Sequence, residues 1–180
     1  MVYVFLANGF EEIEALTPVD LLRRAGIEVK TIAIAEQLVL GAHNIPVLAD
    51  GTRFDVTLDD ELEAVILPGG MPGTKNLERN ETVQRALAYI NAKGRLICAI
   101  CAAPSILGHA GLLQGKKATC FPGFENELDG AEVFDVPAIC DGNIITSRGS
   151  GTAIEFSREI IAYLKDEETA ESIVAAIQKK

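Results

Sequence analysis

Positive charge is scarce in this chain. Its 180 residues hold 16 Lys and Arg against 26 Asp and Glu, a net charge of -10, so most of the surface repels phosphate backbones and anionic lipid. Nucleic acid and membrane surfaces are therefore set aside as partners. Long hydrophobic runs are missing as well. No stretch approaches the ~18 apolar residues of a membrane span, and the segment from Met1 to Glu12 has neither a basic start nor an extended apolar core of the secretory kind. A cytoplasmic protein is the expectation. Cysteine is sparse: Cys98, Cys101, Cys120 and Cys140 are too few and too uneven to staple a chain of this size, which suits free thiols in a reducing compartment. Repeats, linkers and low-complexity tracts are absent.

What is there suffices for a large core. With 48% hydrophobic and 23% charged residues and a mean hydropathy of +0.22, residues 1–180 are expected to form one domain. It buries roughly two thirds of its unfolded surface. Val2 to Leu6 reads as a buried strand that halts at Asn8-Gly9. Ile13, Leu16, Val19 and Leu22 then recur on one helical face, closed by Gly26. Pro18 interrupts this pattern, so either the helix starts near Thr17 with Pro18 at its first position, or a longer helix is bent there. Strands over 27–35, 64–67, 96–99 and 143–146 alternate with helices marked by Val83, Leu87 and Ile90, by Pro104 to Ala110, and by Phe156, Ile160 and Leu164. Thr152 with Glu155 forms a capping-box pattern at the start of the last of these, and Ala170, Ile173 and Ile177 mark a final helix. Such alternation predicts an α/β fold: a mainly parallel sheet with helices on both faces, and a ligand crevice at the carboxyl ends of its strands. Residues 36–60 and 117–142 show no strong period.

Four turns face that crevice. Ala99-Ile100-Cys101-Ala102-Ala103 follows a strand and precedes a short helix, the layout of a nucleophile elbow. A cysteine there meets unpaired N–H groups, which predicts a lowered thiol pKa, within roughly 3.5–7.5 for activated cysteines. A buried structural cysteine is the alternative. Cys98 and Cys101 also spell C-x-x-C, but Cys98 falls inside the strand, and Cys120, Cys140, His43 and His109 offer no zinc spacing. The second turn, Leu67-Pro68-Gly69-Gly70, lets backbone N–H groups approach a ligand, so Gly69 and Gly70 join Ala102 as candidate oxyanion donors. The third holds Arg148, either a solvated arginine or a binder of a carboxylate or phosphate. The fourth is Glu11-Glu12-Ile13-Glu14. The helix dipole accounts for carboxylates in a first turn, but Glu14, deepest in the helix, is the one expected to meet the crevice and to hold a proton there. His109, on the helix after the elbow, reads as a packing or surface residue.

Together GFEEIEALTPVDLLRRAGIEV, VILPGG, LICAICAAP and ITSRGSGTAIEF resemble, in order and spacing along nearly the whole chain, segments of the DJ-1/ThiJ/PfpI superfamily, nearest its DJ-1-like branch. The resemblance implies a flavodoxin-like three-layer sandwich, a homodimer, Cys101 as reactive cysteine with Glu14 as its carboxylic partner, N–H groups of Gly70 and Ala102 as the oxyanion site, and Arg148 as an anion binder. Protease-like members carry His directly after the nucleophile, where this chain has Ala102, which argues against peptide hydrolysis. Some DJ-1-like members place a His where this chain has Phe121, and His43 aligns with an anion-binding Arg of relatives.

The function these residues imply is that of a cysteine enzyme without cofactor or metal, of glyoxalase III or deglycase type. It acts on small 2-oxoaldehydes such as methylglyoxal, or on glycated adducts, through a Cys101 hemithioacetal. The rival is a redox sensor or stress-response protein whose Cys101 is oxidised, with Glu14 hydrogen-bonded to the resulting sulfinate.

Overall fold

The computed structural model describes residues 1–178. Along the chain run β1 (Val2–Leu6), α1 (Glu12–Arg24), β2 (Val29–Ala33), β3 (Leu38–Leu40), β4 (Pro46–Leu48), β5 (Gly51–Thr52), β6 (Ala64–Leu67), α2 (Gly73–Glu78), α3 (Glu81–Ala92) and β7 (Leu96–Ile100). They are followed by α4 (Pro104–His109), β8 (Lys117–Ala118), β9 (Glu132–Val133), β10 (Ala138–Asp141), β11 (Ile144–Ser147), α5 (Ala153–Leu164) and α6 (Glu167–Ala176). Seven strands form one sheet in the order β10-β11-β7-β6-β1-β2-β5. All neighbours are parallel except β10 on β11. Among the five longer parallel strands the order is second, first, third, fourth, fifth, the flavodoxin-like winding.

Alternation along the buried strands divides the core in two. Val2, Val4, Leu6, Ile66, Cys98 and Ile145 pack toward α1, α5 and α6, while Tyr3, Phe5, Val65, Leu67, Ile97 and Ala99 pack toward α2, α3 and α4. Both faces are covered, so the strands are apolar throughout rather than alternately polar.

Several local expectations meet corrections. Pro18 lies inside α1, which runs unbroken from Glu12; the helix begins early because the Glu11 carboxylate accepts the Glu14 N–H at 2.8 Å and caps it. The capping box at Thr152 does not form: its hydroxyl turns back to the Gly149 carbonyl at 2.9 Å and the Ser147 hydroxyl at 2.7 Å, leaving the first turn of α5 without a side-chain cap. The stretch 36–60 holds an antiparallel hairpin, β3 with β4, and the edge strand β5. The stretch 117–142 holds the small parallel pair β8 and β9, and β10.

Candidate active site

The winding direction of the sheet reverses between β1 and β6, and the loops leaving those strands interlock. The Glu11 N–H donates to the Gly69 carbonyl at 3.0 Å, and the Gly73 N–H to the Gly9 carbonyl at 3.1 Å. Gly70, at φ +88°, has no room for a Cβ, which would fall 2.4 Å from the Glu11 nitrogen. The loop after β7 stands beside them and carries Cys101.

Cys101 has φ +65°. A non-glycine residue in this left-handed region costs on the order of 1–3 kcal/mol, which the surroundings must offset. Here the backbone is held from both sides: the Cys101 N–H donates to the Ser147 carbonyl at 2.9 Å, and the Phe121 N–H donates to the Cys101 carbonyl at 2.8 Å. The turn thereby lifts the side chain out of the sheet, half-buried, with the backbone N–H groups of Gly70 and Ala102 placed to favour its thiolate.

Glu14 comes to the same place from α1. It is fully buried and faces Cys101: a Cβ on Gly69 would stand 2.6 Å from Glu14 Oε2 and 3.1 Å from the Cys101 sulfur. Its Oε2 accepts the Gly69 N–H at 2.9 Å, and its Oε1 accepts the Ser150 hydroxyl at 2.9 Å. Gly69 therefore supports the carboxyl rather than the sulfur, a different role from that expected of it. Ser150 was not singled out by the sequence; nothing local to a Ser-Gly turn marks a hydroxyl aimed at a residue 136 positions away.

Burial pushes the Glu14 carboxyl above the usual carboxylate range, opposed by the hydrogen bonds from Cys101, Ser150 and Gly69. The expectation of a lowered thiol pKa is corrected. Burial first, then the charge and hydrogen bond of Glu14, push Cys101 up to about 12, against the opposing pull of the Ala102 and Gly70 N–H groups. The helix behind the elbow, α4, has only six residues, so its dipole is small. Each group resists ionising beside the other.

The remaining candidates lie away from the sulfur. Arg148 is ion-paired with Asp135. His43 is 69% exposed and binds Glu12 through both its backbone N–H and its Nδ1, each at 2.8 Å. Those bonds raise the His43 pKa, and they bring Glu12 below its usual value although burial acts to raise it. Glu11, Glu12 and His43 bring potential ligand atoms within 4.8 Å of one another. Their bonds are already made, however: Glu11 caps α1 and Glu12 anchors the hairpin turn. Cys98 is buried in the sheet, so C-x-x-C presents only one thiol to the crevice. His109 bridges Glu78 and Glu127 at 2.5 and 2.9 Å.

Residues 1–163 match the family model described as DJ-1/PfpI family. The chain belongs to this family. It is 38% identical to protein DJ-1 homolog B of Arabidopsis thaliana over 94% of its own length, and it spans only 39% of that relative. It is 33% identical to a protein of Pyrococcus furiosus named Deglycase PfpI, over 88% of this chain and 96% of that one. Oxidized DJ-1 of Toxoplasma gondii superposes with a TM-score of 0.94 at 34% identity, covering 98% of this chain and 97% of that one. Two further Pyrococcus relatives carry the deglycase name.

Proposed function

We propose that this DJ-1/PfpI protein converts 2-oxoaldehydes, or releases the adducts they form, by covalent chemistry at Cys101. The observation that carries this reading is the single cluster of Cys101 at the strained elbow, the buried Glu14 carboxyl against it, and two N–H groups aimed at the sulfur. The thiol adds to the aldehyde carbon. A C–S bond forms, the carbonyl electrons move to oxygen within reach of the Gly70 and Ala102 N–H groups, and the thiol proton passes through Glu14 to that oxygen. No standing thiolate is required, which agrees with the raised thiol pKa. Glu14, again a carboxylate, removes the proton from the carbon bearing sulfur and returns it to the neighbouring carbonyl carbon. The thioester left behind is hydrolysed by water, so 2-oxoaldehyde plus water becomes a 2-hydroxy acid. A carboxyl whose pKa burial raises above the usual carboxylate range suits this alternation of base and acid. The deglycase names of the archaeal relatives fit the same addition step.

A chelator-treated preparation is expected to turn methylglyoxal into lactate, and Cys101→Ala to abolish the conversion. Unchanged turnover in that variant would sink the assignment.

One relative is described as oxidized, which favours a second use of the same sulfur. Peroxide would oxidise Cys101 to a sulfinate held by Glu14 and the two N–H groups. Oxidation confined to Cys101 by intact mass, in protein that turns over no aldehyde, would favour sensing over catalysis.

A further inference from the structure

Phe121 is a large apolar side chain at the dyad that the chemistry above does not use. It is 47% exposed, and its backbone N–H is held on the Cys101 carbonyl. Its ring packs against Gly149. A Cβ built on Gly149 would stand 3.2 Å from Phe121 Cδ2 and 3.9 Å from Glu14 Oε1, so ring and carboxyl flank the same glycine. Beyond them opens a cavity of about 340 Å³, lined by Phe121, Pro122, Arg148 and the loop 149–152. Ser150, which holds Glu14, forms part of its wall. The guanidinium at its rim is occupied by Asp135, so the cavity offers a bound molecule a ring face, a proline and backbone rather than a free charge.

We propose that Phe121 makes the site selective for carbonyl compounds bearing an aryl or comparably flat apolar group. The proposal rests on Cys101 being the nucleophile, as in the function above. Phe121 is bonded through its N–H to the Cys101 carbonyl and shares Gly149 with the Glu14 carboxyl, so the substituent of a carbonyl compound held at the sulfur would meet the ring. A phenyl group lies against the ring and removes far more apolar area from water than a methyl group does, and offset ring contact adds to this. Phenylglyoxal is therefore preferred to methylglyoxal, and the side chain that sets the preference cannot itself move a proton.

Two measurements separate this from the reaction itself. The first needs no turnover: Cys101 is alkylated with phenacyl bromide or with bromoacetone, each losing bromide as the C–S bond forms, and labelling is read peptide by peptide. Exposed Cys140 serves as internal reference for the intrinsic reactivity of the two reagents. The phenyl-to-methyl rate ratio at Cys101 is expected to exceed that at Cys140 by about tenfold, the scale of one good ring contact plus its buried area. In Phe121→Ala it falls to the Cys140 level, and Phe121→Leu lies between. The second compares kcat/KM for phenylglyoxal and methylglyoxal in the same three proteins, with the same order expected. Equal ratios at the two cysteines in the wild type, or a Cys101 ratio unmoved in Phe121→Ala, overturns the proposal even if methylglyoxal is turned over. Selective alkylation without turnover sustains it while removing the enzymatic reading.

Discussion

Gly69 has no side chain because the Glu14 carboxyl and Cys101 occupy the space one would take. A Cβ there would lie 2.6 Å from Glu14 Oε2 and 2.7 Å from Cys101 Cβ. Overpacking of this kind costs about 1–3 kcal/mol of stability, but its main effect is to part carboxyl from sulfur. Gly69→Ala is expected to stay folded in denaturant titration while losing aldehyde turnover; retained turnover would mean that the observed contact is not the reacting geometry. Glu14→Gln keeps shape and removes the proton carrier, so kcat is expected to drop by about 10²–10⁴ while Cys101 still alkylates. A kcat within a few-fold of wild type would take Glu14 out of the proton path. The places of Cys101, Gly70 and Ala102 in loops after strands, and of Glu14 in the first turn of α1, were legible because strand–helix alternation dictates them. The ionisation of the thiol was not: burial and a facing carboxylate outweigh two N–H groups, and neither is visible until the loops are brought together.

At the level of elements, the same limit explains which segments were read. The buried strands and α1, α3 and α5 announced themselves through unbroken apolar runs or a 3.6-residue period. The hairpin β3–β4 and the six-residue α2 are too short to show one. The expected cap on α5 failed because the Thr152 hydroxyl found Ser147, a partner on β11. Tertiary contacts likewise decide the role of His109. It joins α4, directly behind the elbow, to α2 through Glu78 and to the 125–127 turn through Glu127. The hydrogen bond to Glu78 and then that to Glu127 raise its pKa, against its partial burial. A histidine raised on folding contributes stability that is complete below its unfolded pKa, about 6.5, and is lost as pH rises through the higher folded value. Exposed pairs of this kind contribute about 0.2–1 kcal/mol each. His109→Gln is therefore expected to lower Tm by a few degrees at pH 6 and by much less at pH 9 in scanning calorimetry. A difference that does not change with pH would show that the imidazolium is not what ties the two elements together.

For the whole molecule, an acidic chain of net charge -10 leaves an apolar area uncovered. On α1, Ile13 is 52% exposed, and a groove of about 560 Å³ beside it is lined by Leu16, Leu21, Ala153 and Ile154. The hairpin, tied to α1 where His43 meets Glu12, shows Leu38, Leu40, Ile45 and Leu48 on its outer side, Leu48 at 69% exposure. Exposed apolar side chains gathered on neighbouring elements mark an interaction surface. We propose a second copy of this chain as its occupant. A two-fold contact sets the same patch against itself, and Arg24 pairs with Asp20, one of the two carboxylates that line the groove. Ser150 and Glu12 line the groove, and Ser150 is also the hydroxyl that holds Glu14, so a partner seated there would border the reacting pair. Sedimentation of the wild type is expected to give a dimer, and Ile13→Glu, which places a charge at an exposed position without touching either core, a folded monomer with reduced aldehyde turnover. If the wild type sediments as a monomer at micromolar concentration, or the variant remains a dimer, the two copies do not meet on this face and the exposed leucines need another partner.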